Sequence, residues 1–413
     1  MVAPTSFFAD YGCHVRILEE VRALHARGHE VTICTYHNGN DVPGVFIRRS
    51  IDVPWRKRVI VGSSRHKLYL DGALSITTLR TARSFKPDLI HAHLHEGALI
   101  GGAIARMLRK PLIFDYQGSL TEEMFDHGFV HKDSRVLPWL KRLERQIDRL
   151  PDVIVTSSEN AHQRLLQSRP IARVRTVLDA VDTSRFSPMS VDETEKRALK
   201  DRLGIPASSK VVVYLGLLAP YQGTDLLLRA AKHVLDKSPD TYFLLMGFPG
   251  VERYQHMAEE LGLTGHVSFP GRIPYTEAHR YLALGDVAVA PKMSLTEGNG
   301  KIYNYMSMGL PVVAFDAEPN REILGDLGIY ARLGDERELA SKISDVLRCP
   351  RFADILSASL RSRSVDVMSW SDRVDELLDV YHEALGWKDA KATVTMPDRP
   401  SRHTEKVLES TND

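Results

Sequence analysis

At 413 residues the chain is longer than one hydrophobic core usually serves, and two domains of roughly 180 residues each are expected. A hydrophobic fraction of 43% and a charged fraction of 26% are ordinary for a globular protein, and no apolar run approaches the ~18 residues that span a bilayer. The net charge of +1 hides an asymmetry, with 26 Lys and Arg against 19 Asp and Glu in residues 1–180 and 28 against 34 in the remainder, so the first half is expected to meet an anionic phospholipid surface or lipid phosphate; without a helix-turn-helix, zinc or stacking-aromatic signature, nucleic acid is excluded.

The opening segment, MVAPTSFFADYG, lacks the basic and long apolar parts of a secretory signal. Cys13, Cys34 and Cys349 are scattered, which suits free thiols and gives no zinc spacing, so a cytoplasmic protein is expected, peripheral at the inner membrane face if its basic segments meet lipid. A first strand of only MVAP is short, and a few residues are expected to be missing upstream of this start. Strand-like runs follow at Glu30–Tyr36, Asp88–His93, Pro111–Tyr116 and Asp152–Ser157. Helix-period stretches lie at Cys13–Arg27, Lys67–Ser84, Glu96–Arg109 and Arg135–Arg149. Continuous apolar strands divided by crossover helices mark a parallel sheet covered on both faces.

Two basic segments in this half, Val53–Leu70 with Trp55 and the amphipathic Arg135–Leu150, are either solvated faces or membrane contacts. In HAHLHEG, His91, His93 and His95 alternate and would share one face of an extended strand. With Glu96 and Asp115 they open a metal-hydrolase reading, but that reading predicts a single barrel, whereas the strand pattern here restarts.

The restart follows a turn-rich linker, Val177–Pro188, with strands at Lys210–Gly216, Thr241–Gly247, His266–Gly271, Asp286–Pro291 and Pro311–Asp316. The expected architecture is α/β: Rossmann-like domains at 1–180 and 189–368, each a doubly wound parallel sheet, facing a central cleft. A closing helix at 369–387 would pack back toward the first domain, and the polar tail 388–413 is expected to be disordered. Within the second unit, EGNGKIYNYM has the form of an anion loop feeding a helix. Gly298 and Gly300 would let the backbone approach a phosphate, Lys301 would add a full charge, and Glu297 would accept hydrogen bonds from sugar hydroxyls. A tight turn is the plain alternative. The spacing fits neither a Walker loop nor the dinucleotide fingerprint, so kinase and dehydrogenase readings lose their support.

The blocks VVVYLGLLAPYQGTDLLLRAAKHV, HVSFPGRIPYTEAHRYLALGDVAVAP, EGNGKIYNYMSMGLPVVAFD and NREILGDLG, with FFADYGCHVRILEEVRALHARGHEVTICTY before them and SWSDRVDELLDVYHEAL after, make the chain resemble the group 1, or family 4, retaining glycosyltransferases of the GT-B fold. That resemblance covers nearly the whole chain. It implies transfer of a hexose from a UDP- or GDP-linked sugar to a saccharide or lipid-linked acceptor, with retention and with neither metal nor cofactor. It implies donor contacts at Gly216, Gln222, Gly223, Arg272, Gly298, Asn299, Gly300 and Asn304, with catalytic roles for Glu297, Lys301 and Gln117. Acceptor contacts fall on Asp10, Tyr11, Gly12, His14, His95, Glu96 and Gly118.

Three positions depart from the family pattern. The usual phosphate-binding Arg and Lys read Leu217 and Gln222, the second Glu of the E-x7-E pair reads Asn304 at a spacing one residue shorter, and the strand-end His reads Gln117. Lys301, with Lys292 and Arg321 behind it, is the expected replacement cation, while Glu322 is expected either near the donor or as a helix cap. Two readings remain beside the transferase: an impaired subunit or binding module, and a nucleotide-sugar epimerase of the same fold.

Overall fold

The computed structural model describes residues 1–9, 12–52, 67–126, 134, 136–168, 173–295 and 298–386. Asp10, Tyr11, Glu297, residues 53–66 of the basic stretch with Trp55, and the tail from Trp387 lie outside the described residues.

The first sheet joins β1 (Val2–Ala3), β2 (Thr32–Thr35), β3 (Phe46–Arg49), β4 (Ile90–His93), β5 (Leu112–Tyr116), β6 (Val153–Thr156) and β7 (Val174–Thr176). Its order is β3-β2-β1-β4-β5-β6-β7, every pair parallel. The helices of this half are α1 (Gly12–Ala26), α2 (Lys67–Phe85), α3 (Leu94–Leu108), α4 (Leu120–Asp126), α5 (Leu137–Ile147) and α6 (Glu159–Ser168). The second half begins with α7 (Glu193–Leu203). Its sheet joins β8 (Lys210–Leu215), β9 (Thr241–Met246), β10 (Val267–Gly271), β11 (Val287–Ala290), β12 (Val312–Phe315) and β13 (Ile329–Ala331), in the order β10-β9-β8-β11-β12-β13 and again parallel. Its remaining helices are α8 (Thr224–Leu235), α9 (Val251–Glu260), α10 (Ala278–Leu282), α11 (Lys301–Ser307), α12 (Glu318–Leu324), α13 (Glu336–Arg348), α14 (Pro350–Val367) and α15 (Trp370–Leu385).

The central strands are the apolar runs of the sequence, and β4, β5, β6, β9, β11 and β12 are buried at every residue, as strands covered on both faces must be. Strands β3, β7 and β13 lie at or beside the edges and were not expected, because FIRR, VRT and IYA are too short or too polar to stand out as apolar runs. One local expectation is corrected. Leu94 takes a left-handed backbone conformation (φ 62°) directly after β4, and α3 therefore starts two residues earlier than periodicity suggests. His91 and His93 stay on the strand with their rings stacked 4.5 Å apart, but His95 is carried onto the helix, away from that shared face.

The two sheets do not stand apart. One continuous apolar cluster runs from Ile17 and Ile33 through Val177, Val181 and Phe186 of the linker to Tyr303, Tyr305 and Met306 on α11. Helix α15 crosses back to the first half: Leu377 and Val374 join the same cluster, Arg27 pairs with Asp375, and the Tyr381 hydroxyl meets His91 Nδ1 at 2.7 Å. Leu377 is fully buried, so Leu377→Ala should lower unfolding free energy in urea by about 2–5 kcal/mol. A loss under ~1 kcal/mol would mean that α15 does not unfold together with the rest.

Candidate active site

Each sheet reverses its winding between two neighbouring strands, β1 and β4 in the first and β8 and β11 in the second. Crevices at the carboxyl ends of such pairs are where doubly wound sheets bind ligands. In the second sheet that crevice is built from the turn after β8, the segment after β11, and the start of α11.

Two glycines shape it. A side chain on Gly223 would come within 1.9 Å of the Pro291 carbonyl oxygen, and the residue has φ +74°, so only glycine lets the β8 turn seat against the end of β11. A side chain on Gly216 would come within 2.6 Å of Lys301 Nζ, and its absence admits the lysine. Lys301 donates to Gln222 Oε1 at 3.0 Å and to the Tyr214 hydroxyl at 3.3 Å, with its ammonium 4.4 Å from the centre of the Tyr214 ring. Burial, and then the charge of Lys292, hold its pKa well below the usual lysine value. Lys292 is buried and donates to the Gly298 carbonyl at 2.9 Å, bracing the loop from beneath.

The rest of that loop is fixed by neighbours. Buried Asn299 donates through Nδ2 to Asn320 Oδ1 at 2.9 Å, and Asn320 in turn donates to the Phe315 carbonyl at 2.8 Å. The Tyr305 hydroxyl accepts from the Leu215 amide at 2.8 Å, pinning α11 to the end of β8. Asn304 is half-buried and Gly298 exposed, with open space where a side chain on Gly298 would point. Arg272 is exposed beyond β10, stacked over Phe248, and its charge reaches His14 on the opposite half.

On the first half the expected acceptor residues separate. Gly12 and Gly118 both face open space. His14 does not: its ring is buried, Nδ1 accepts from the Ala9 amide at 2.9 Å, and Nε2 bonds the Thr5 hydroxyl, so it organises the segment before α1. Burial and Arg272 push its pKa down to about 3. His95 is likewise buried, edge-on to Phe114 and Tyr116, with Nε2 3.4 Å from Asp148 on the α5 side. Glu96 is half-buried in the first turn of α3. Gln117 is half-buried and donates to Asp115 Oδ2 at 2.8 Å.

Sequence reasoning missed several supports. Tyr214 is hidden within an apolar strand, yet its ring and hydroxyl seat Lys301. Glu322 neither caps its own helix nor stays on its own half: it accepts from the backbone amides of Glu159 and Asn160 at the start of α6. Arg321 is spoken for by Asp316, at 2.5 and 2.8 Å, and by the Tyr330 ring. No motif marks a contact that depends on the other sheet, although Glu322 was visible as an acid near the crevice.

Residues 195–363 match the family described as glycosyl transferases group 1, and residues 12–185 match glycosyltransferase family 4. The chain is 30% identical over 262 residues to a GDP-mannose-dependent alpha-(1-6)-phosphatidylinositol monomannoside mannosyltransferase of Mycolicibacterium smegmatis, covering 60% of this chain and 68% of that one. Its fold is similar to that of a sucrose-phosphate synthase from Thermosynechococcus elongatus, at TM-score 0.78 and 18% identity over 94% of this chain and 98% of the other. It is similar also to HepE from Anabaena, solved with UDP and glucose, at TM-score 0.73 and 16% identity over 92% and 98%.

Gly223→Ala should destabilise the protein by more than about 1 kcal/mol, because the added methyl meets a carbonyl and the backbone angle is strained. Chemical denaturation measures it; an unchanged midpoint would show that the β8 turn and the end of β11 are not held together.

Proposed function

The chain belongs to the group 1, family 4 retaining glycosyltransferases of the GT-B fold, which use nucleotide-sugar donors, and from that premise we propose that it moves a hexose from a UDP- or GDP-linked donor to a saccharide or lipid-linked acceptor, with Lys301 as the cation that receives the departing diphosphate. One observation carries the assignment of Lys301. Its ammonium sits against Gln222 and Gly216, two positions of the motif that ordinarily contributes the phosphate-binding cations. Charge builds on the diphosphate as the glycosidic bond breaks, so a preorganised cation stabilises the transition state more than the ground state. The amides of Gly298, Asn299 and Gly300 would complete the proposed donor side, with Asn304 assigned to the ribose and Glu297 to the sugar hydroxyls. Gly12, Gly118 and Gln117 would border the acceptor, and the acceptor's proton would pass to the leaving phosphate, which needs no enzyme nucleophile.

The donor base rests on relatives alone: one is named for GDP-mannose and another fold neighbour was solved with UDP. A lipid-linked acceptor is supported by α5, which exposes Trp139 and the cations Lys141, Arg142 and Arg145 on the basic half. Among the described residues no helix is long and apolar enough to cross a membrane.

Titration calorimetry with UDP, GDP and their sugars tests the reading. One nucleotide should bind, and Lys301→Ala should weaken it roughly 10- to 100-fold, the worth of one charged hydrogen bond. Burial and Lys292 lower the pKa of Lys301 in the free protein, and a diphosphate bound beside it would raise that pKa back toward the ordinary value. Binding should therefore take up protons between those two values, and affinity should fall as pH rises through the free-state one. No binding of any nucleotide to the wild type would contradict the transferase reading and favour the impaired subunit. Sedimentation with anionic liposomes checks the lipid side: the wild type should co-sediment more than Trp139→Ala, and indifference of both would remove it.

A further inference from the structure

Behind the cleft, Glu20 of α1, His91 and His93 of β4 and Asp115 of β5 converge, all four buried. One ligand-type atom from each lies within 4.8 Å of the other three. Their outward atoms are committed. Asp115 Oδ2 accepts from His93 Nδ1 at 3.0 Å, from Arg16 Nε at 3.0 Å and from Gln117 Nε2 at 2.8 Å, while His91 Nδ1 meets the Tyr381 hydroxyl at 2.7 Å. Other atoms of the same residues are not. His91 Nε2, His93 Nε2, Asp115 Oδ1 and both oxygens of Glu20 are buried without a hydrogen-bond partner, although Glu20 Oε1 lies 3.0 Å from the Arg16 guanidinium as an ion pair.

Setting aside Glu20 Oε1 with its ion pair, four orphaned polar atoms in one sealed cluster are costly, on the order of 1–3 kcal/mol each, and call for a ligand or a proton. A proton on His93 Nε2 would find no acceptor, since its nearest carboxylate oxygen, Glu20 Oε2, is 3.8 Å away. That separation suits two metal bonds of ~2.1 Å at a somewhat wide angle. Glu20 and Asp115 are sealed from water on either side of Arg16, and Asp179, a quarter exposed, is its third carboxylate partner, so carboxyl groups outnumber the one guanidinium three to one.

We propose that Glu20, His91, His93 and Asp115 bind a divalent transition-metal ion of the zinc class, which cross-links α1, β4 and β5. A histidine whose Nδ1 is held by a carboxylate or hydroxyl and whose Nε2 lies bare in a polar pocket is the arrangement that orients an imidazole toward a metal. Two imidazoles and two carboxylates form a borderline donor set that suits zinc or cobalt. All four donors are buried, so the ion is structural, enters during folding, and takes no part in the transfer reaction. Through His91 and Tyr381 it would also steady α15.

The test is elemental analysis of the full-length chain, purified without a polyhistidine tag, followed by chelator stripping and titration with Zn²⁺ or Co²⁺. The wild type should carry about one equivalent of metal, lose melting temperature on stripping and regain it with either ion, and give the visible absorption of a four-coordinate cobalt site. Glu20→Gln and His91→Gln, which nearly preserve volume, should each weaken metal binding by about tenfold or more. The proposal is overturned if the wild type holds less than ~0.1 equivalent and neither chelator nor added metal moves its melting temperature. It is overturned equally if both variants respond to metal as the wild type does. Neither readout depends on nucleotide binding, so the result stands apart from the transferase reading.

Discussion

Arg16 is sealed from water, and a buried guanidinium must be answered on every side or cost several kcal/mol. Its partners come from four places: Glu20 on its own helix, Asp115 on β5, Asp179 and the Val177 carbonyl in the linker, and the Trp370 ring at the start of α15. These elements therefore cannot shift independently. From the opposite side Arg361 and Ser307 bond the Phe186 carbonyl, and Arg361 also holds that of Thr183, so the linker is clamped at both ends. Asp179 comes to rest 4.0 Å from where a side chain on Gly300 would begin. A charge buried in one half thus holds the linker, and with it Asp179, beside the anion loop of the other half.

Against that frame the departures from the family pattern form a set. Gln222 stands where a cation is usual, and it is Gln222 that accepts from Lys301. Gly216 leaves the space for the lysine, and Tyr214 supplies a ring and a hydroxyl to seat it. Burial lowers the amine's pKa, which costs charge in the free protein but makes each hydrogen bond to an incoming anion stronger in that dry setting. The proposed site exchanges two cations for one that is held in place beforehand.

The parts legible in the sequence were those governed by local rules. Central strands such as VVVYL and VVAF announce themselves because both faces are buried, and the restart of the pattern after Pro188 announces a second sheet. The edge strand FIRR does not, since half its residues face water. Periodicity groups His95 with the strand histidines because a left-handed Leu94, a conformation no composition rule predicts, starts the helix two residues earlier. The sequence places His14 near the acceptor, and what it cannot show is that both ring nitrogens bond within the segment before α1, to Ala9 and Thr5. Glu322 capping a helix of the other half depends on how two sheets meet, which periodicity within one segment cannot encode.

The proposed donor site turns on one ammonium group, and the most direct measurement of its role is a structure with the nucleotide-sugar or its nucleoside diphosphate bound. In that structure Lys301 Nζ should be released from Gln222 and lie about 2.7–2.9 Å from an oxygen of the β-phosphate. A diphosphate bound elsewhere, with Lys301 still seated on Gln222 and Tyr214, would contradict it.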